Sequence, residues 1–187
     1  MLNIPEYKEY GGEIKIALMD NSSLAFMHEL SQRSYPSDGI LGVYDLILIP
    51  KWVMEEIEDS TYRSTYVEQL QAQGYPICWI DETKYGAFVN DEDVNLYYIV
   101  EAAVSRVSEL MRFLRRNVKT EDMIDLPSAE EWMNRLYDEW PLHGRTLSTG
   151  RVLKKNAGEI SLTILAEVFA WYYDEVDSLT IYTQDTD

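Results

Sequence analysis

Six carboxylates recur at one kind of place in this chain. Asp20 closes the apolar run 14–19, and Glu55 and Glu56 follow the apolar run 44–50. Glu159 opens the periodic stretch 157–173, and Asp185 and Asp187 follow the run 178–183. If the apolar runs are parallel strands, their carboxyl ends gather these acids on one rim, where ligands lie in open α/β sheets. Clustered carboxylates raise one another's pKa, and a hard divalent cation relieves the repulsion. Mg²⁺ and Mn²⁺ favour oxygen donors and keep several waters. Such an ion activates water and stabilises a phosphoryl transition state. The competing reading is structural: Asp20 or Asn21 would merely cap the first turn of the helix that follows.

The elements that would position these acids are legible in the hydrophobic pattern. Strands are expected at 14–19, 44–50, 76–80 and 178–183, and helices at 22–33, 51–59, 61–73 and 157–173. Pro50 suits the first turn of a helix, and Gly74 closes another. Alternation of strands and helices predicts a parallel sheet. The alternation lapses between 81 and about 151. There one long helix is expected over 94–116 and another over 128–140, opened by the capping-box pattern Ser128-Ala-Glu-Glu131. The remaining stretch 141–150 reads as a loop, and residues 1–13 as a polar leader.

Composition narrows the function classes. At 187 residues one domain is expected. No run of about 18 apolar residues suggests a membrane span, and no basic and apolar leader suggests secretion. One cysteine, Cys78, excludes an intrachain disulfide and suits a reducing, cytoplasmic compartment. His28 and His143 are not at ligand spacing, so zinc is not expected. The net charge of −17 opposes binding of nucleic acid by the whole surface. The charge is uneven, however. Residues 106–155 carry 10 basic and 8 acidic side chains, while residues 156–187 carry 7 acidic and no basic ones. Arg145, Arg151, Lys154 and Lys155 immediately precede the helix of Glu159 and could hold a phosphate backbone. Arg112, Arg115, Arg116 and Lys119 could do so too, although helix-end charge also accounts for them.

Four stretches together resemble the PIN-domain family of metal-dependent ribonucleases. They are Ile16-Ala-Leu-Met-Asp20-Asn-Ser-Ser23, Leu48-Ile-Pro50-Lys-Trp-Val-Met-Glu55-Glu56-Ile57, Asn156-Ala-Gly-Glu159-Ile-Ser-Leu and Leu179-Thr-Ile-Tyr-Thr183-Gln-Asp185-Thr-Asp187. The resemblance covers roughly 14–80 and 156–187. It implies a three-layer α/β/α fold with a central parallel sheet, forming one domain over 1–187 with a helical insertion at 81–150. It also implies catalytic, metal-holding roles for Asp20, Glu56, Glu159 and Asp185, with Asp187 as a further ligand. Glu56 matches better than Glu55 because an aliphatic residue follows it. Ser22 matches the small hydroxyl residue beside the first acid. The implied activity is Mg²⁺- or Mn²⁺-dependent hydrolysis of RNA, commonly by the toxin of a toxin–antitoxin pair, with an antitoxin-like protein or a second copy as partner. The chain departs from the family in its long helical stretch and in stopping where the family adds a further helix and strand. Two alternatives stand beside this reading. One is a non-catalytic PIN-like interaction module using 81–150 as its surface. The other is a phosphohydrolase of haloacid-dehalogenase type with Asp20 as nucleophile, weakened because that family's second Asp falls at Ser22.

Overall fold

A computed structural model describes residues 2–35, 38–89, 93–120, 123, 125–147 and 149–183. In chain order the elements are β1 (Lys15–Met19), α1 (Asn21–Gln32), α2 (Asp38–Leu41), β2 (Leu46–Pro50), α3 (Lys51–Ile57), α4 (Thr61–Ala72) and β3 (Ile77–Ile80). A 3₁₀ helix (Glu82–Val89), α5 (Asp93–Ala103), α6 (Ser108–Asn117), α7 (Ala129–Asp138), β4 (His143–Thr146), β5 (Val152–Lys154), α8 (Ala157–Tyr172) and β6 (Ser178–Tyr182) complete the chain. The contacts divide it into two compact units, Met1–Ile80 with Tyr173–Asp187, and Asp81–Tyr172. The second unit begins where the insertion was expected to begin, but it runs on to Tyr172 and so includes α8. No helix among the described residues is long and apolar enough to cross a membrane.

The first unit is α/β, built on a four-stranded, all-parallel sheet in the order β3-β2-β1-β6. Every residue of Ile16–Met19 and Leu46–Pro50 is buried. Successive strand residues face opposite sides, so both faces of these two strands are covered. This is compatible with a three-layer α/β/α arrangement. The connections from β1 to β2 and from β2 to β3 run in one direction along the sheet. The right-handed crossover rule then places their helices on one face, and α1, α3 and α4 do pack on one another. Gly74, at φ +97°, ends α4 in the left-handed region, and Tyr75 N–H closes back onto the Leu70 carbonyl at 3.2 Å. β6 is an edge strand, and its Ile181 is 44 % exposed.

The opening residues are not a polar leader. Leu2, Ile4 and Tyr7 are buried. Trp79 N–H donates to the Pro5 carbonyl at 2.9 Å, and Tyr7 N–H donates to the Trp79 carbonyl at 2.7 Å. This short parallel pairing covers the outer edge of β3, which would otherwise offer unpaired amides.

Two expectations for the second unit need correcting. The periodic stretch 94–116 is two helices, α5 and α6, separated by Val104-Ser-Arg-Val107. Two β-branched residues and a serine there have low helix propensity. Of the apolar stripe expected there (Leu96, Val100, Val104, Val107 and Leu110), all but Val107, which is half-buried, are fully buried. The loop expected at 141–150 instead carries β4, which pairs antiparallel with β5, His143 opposite Lys154 and Thr146 opposite Val152. The insertion is therefore not wholly helical. These strands are four and three residues long and none of their residues is buried, so they lack the hydrophobic alternation that betrays a strand.

The second unit also encloses a polar chain. Ser161 of α8 donates to Glu82 Oε1 at 2.7 Å, and the Tyr85 hydroxyl lies 2.9 Å from Ser161 Oγ. All three residues are fully buried. The serine's single proton is given to the carboxylate, so Tyr85 donates to the serine. Burial, and then the Glu82 charge, hold the Tyr85 phenol well above its ordinary range, so it keeps that proton. Ser161→Ala removes both bonds and should lower the unfolding free energy by about 2–3 kcal/mol, against about 1 kcal/mol for Tyr85→Phe. Urea unfolding followed by circular dichroism measures both.

Candidate functional site

β1 ends on Met19 and α1 begins at Asn21, so Asp20 occupies the joint between them. Its Oδ1 accepts the Ser23 backbone N–H at 2.6 Å and its Oδ2 accepts the Ser22 hydroxyl at 2.8 Å. Ser23 Oγ in turn donates to the Asp20 carbonyl at 3.0 Å. Asp20 is thus the N-cap of α1, with extended backbone and only 6 % of its surface exposed. Capping satisfies a first-turn amide, and the positive end of the helix favours the carboxylate.

The same residue also meets β6. Asp20 N–H donates to the Tyr182 carbonyl at 3.2 Å, continuing a ladder in which Met19 lies opposite Tyr182. The carboxyl ends of β1 and β6 are therefore level. The chain leaves β1 toward β2 on one side and returns to β6 on the other, so the strand order reverses between β1 and β6. That reversal is the place where open α/β sheets bind ligands. Tyr182 is fixed there by its hydroxyl, 2.8 Å from that of Tyr44, and burial and then this bond push its phenol up to about 12.

A second acid joins Asp20 through Asn21. The Asn21 amide donates from Nδ2 to Glu56 Oε2 at 3.3 Å, which ties the start of α1 to α3. Its Oδ1 is buried and has no hydrogen-bond partner. A buried carbonyl oxygen left unpaired costs free energy unless a cation or donor meets it. Asp20, Asn21 and Glu56 thus offer two carboxylates and an amide oxygen. Each Asp20 oxygen keeps a lone pair after its one hydrogen bond. Oxygen donors of this kind suit Mg²⁺ or Mn²⁺ and not the nitrogen and sulfur preferences of zinc. Among the described residues, no three His, Cys, Asp or Glu side chains form a group that could hold a metal.

Glu159 is exposed in the first turn of α8, which belongs to the second unit. Asp185 and Asp187 lie outside the described residues. Ser22 is beside Asp20, as stated. Arg145, Arg151 and Lys155 are exposed on or beside the β4–β5 hairpin. Lys154 is occupied: its ammonium donates to the Tyr137 carbonyl and lies 3.7 Å from the centroid of the Tyr137 ring. It anchors the hairpin. His28 packs against Tyr66 with ring centroids 5.2 Å apart. Burial and then the Glu13 charge push the Cys78 thiol up, away from reactivity. Sequence reasoning passed over Asn21 except as a rival helix cap. The only available signal was its position, immediately after an acid at a strand end.

The two roles of Asp20 are separable by substitution. Asn caps helices about as well as Asp, so Asp20→Asn should change the unfolding free energy by less than about 0.5 kcal/mol, whereas Asp20→Ala should cost about 1–2 kcal/mol. Chemical denaturation of the two variants checks this. Comparison of the chain with protein-family models, with curated proteins and with solved structures finds no match.

Proposed function

We propose that the protein is an Mg²⁺- or Mn²⁺-dependent endoribonuclease, similar to the PIN-domain ribonucleases, and that Asp20 and Glu56 lead its metal-holding set. The observation that carries this reading is the joint at the end of β1. A buried acid stands where the strand order reverses, and a single asparagine links it to a second acid while keeping an unpartnered buried oxygen. Asp185 and Asp187, of the same unit, are the further ligands on this reading; Glu159 belongs to the other unit.

The chain's own residues divide the work. Ser22 and Ser23 hold the two Asp20 oxygens in place. Asn21 orients Glu56 and contributes a third oxygen. Arg145, Arg151 and Lys155 contact substrate phosphates, and Lys154 acts indirectly by fastening their hairpin to Tyr137. When bound, the cation supplies an activated water and offsets charge on the scissile phosphate. The biological setting on this reading is the toxin of a toxin–antitoxin pair.

A non-catalytic interaction module is the second reading. One observation favours it: both Asp20 oxygens are already engaged by the cap, and a cap needs no metal to explain it.

Labelled RNA incubated with Mg²⁺, Mn²⁺ or EDTA separates the two. Cleavage should require the metal and disappear in Asp20→Asn and Glu56→Gln. Asn21→Ala, which touches the acids without replacing one, should lower turnover or metal affinity by about 10–100-fold. Cleavage that persists in EDTA, or that Asp20→Asn leaves untouched, rules out the enzyme reading.

A further inference from the structure

The second unit gathers two basic clusters that are distant in sequence. Arg112, Arg115, Arg116 and Lys119 are all exposed along the last two turns of α6 and just beyond its end. Among the described residues none of the four forms an ion pair. Arg112 and Arg116, four residues apart on α6, have neighbouring side chains about 5–6 Å apart, and Lys119 follows the helix end.

The last turn of α7 connects these cations to the hairpin. Arg135 donates to Asn117 Oδ1, at the end of α6, at 2.9 Å. Two residues on, the Tyr137 carbonyl accepts the Lys154 ammonium. Trp140 Nε1 then donates to the Lys155 carbonyl at 3.0 Å. Lys155 is thereby brought to the same end of α7 as the α6 cations, with Arg145 and Arg151 farther along the hairpin. Among the described residues, Asp138 and Glu139 are acids at that end, with Glu139 held by Arg135 at 2.9 Å, and Glu109 faces the Arg112 charge.

We propose that this basic surface binds the phosphate backbone of single-stranded RNA without the acid pair and without a metal. The choice of RNA rests on the ribonuclease reading; the binding itself does not. Arginine forks fit phosphate oxygens better than a lysine-only surface would. A bilayer is a poor occupant, because the apolar side of α6, with Leu110, Phe113 and Leu114, is buried in the unit. The net charge of −17 opposes any polyanion. At physiological salt, however, charges beyond about 8 Å are largely screened, so contacting phosphates respond mainly to the cluster.

Fluorescence anisotropy of the full chain with a labelled oligouridylate of about 12 nucleotides, in EDTA, tests this. Affinity should fall as salt rises from about 0.05 to 0.2 M. Replacing Arg112, Arg115, Arg116 and Lys119 together by glutamine should weaken binding at least about tenfold and reduce the log–log salt slope by about 2–3. Arg145→Gln with Lys155→Gln should weaken it further. Lys8→Gln with Lys15→Gln, in the first unit, should leave it unchanged, and circular dichroism verifies that each variant folds. No binding in EDTA, an unaltered slope in the fourfold variant, or equal affinity for duplex DNA overturns the proposal. RNA that binds in EDTA but is not cleaved with Mn²⁺ overturns the ribonuclease reading and leaves this one standing. Metal-dependent cleavage without binding in EDTA does the reverse.

Discussion

Asp20 satisfies three constraints with one residue. Its carboxylate closes the first turn of α1, its amide extends the β1–β6 ladder, and its neighbour Asn21 reaches α3. The sheet, the first helix and the third therefore meet at a single backbone joint. Burial makes this arrangement strict. At 6 % exposure a carboxylate must have its oxygens met by donors, and the two serines that follow it provide them. The same hydrogen bonds that make Asp20 a good cap hold both of its carboxylate oxygens in place.

The sheet around that joint is closed on one side by an unexpected device. The opening residues bury Leu2 and Ile4 and lend β3 a short parallel partner at Trp79. On the other side, β6 stays an edge strand with half-exposed residues. The buried polar chain of Glu82, Ser161 and Tyr85 plays the comparable fixing role in the second unit, where it ties the 3₁₀ helix to α8. In both units a serine hydroxyl donates to one oxygen of a buried carboxylate, Ser22 to Asp20 Oδ2 and Ser161 to Glu82 Oε1.

Charge is divided as unevenly as structure. The first unit carries 17 acidic and 5 basic side chains, a net of −12, and the second 16 and 11, a net of −5. Most of the second unit's basic residues lie on α6, the end of α7 and the hairpin. The mean charge of the chain thus conceals a region of opposite sign, and screening over a Debye length lets that region act on its own surroundings.

Local pattern alone located most of the first unit. The four parallel strands and helices α1, α3, α4 and α8 lie within two residues of where apolar runs, Pro50, Gly74 and the cap residues place them, and Ser128 caps α7, whereas α2 was not expected. These signals are short-range, because burial periodicity and capping involve residues a few positions apart. The hairpin was hidden because its strands are short and unburied, and the break between α5 and α6 because a continuous apolar stripe masks weak helix propensity. At the candidate site, residue type and strand-end position pointed to Asp20 and to Glu55 or Glu56, and the family resemblance preferred Glu56. Their link through Asn21 was not legible, nor was the diversion of Lys154 to the Tyr137 carbonyl. Those contacts span 35 and 17 residues. A side chain's partner at such separations is set by how the elements pack, and no local pattern encodes it.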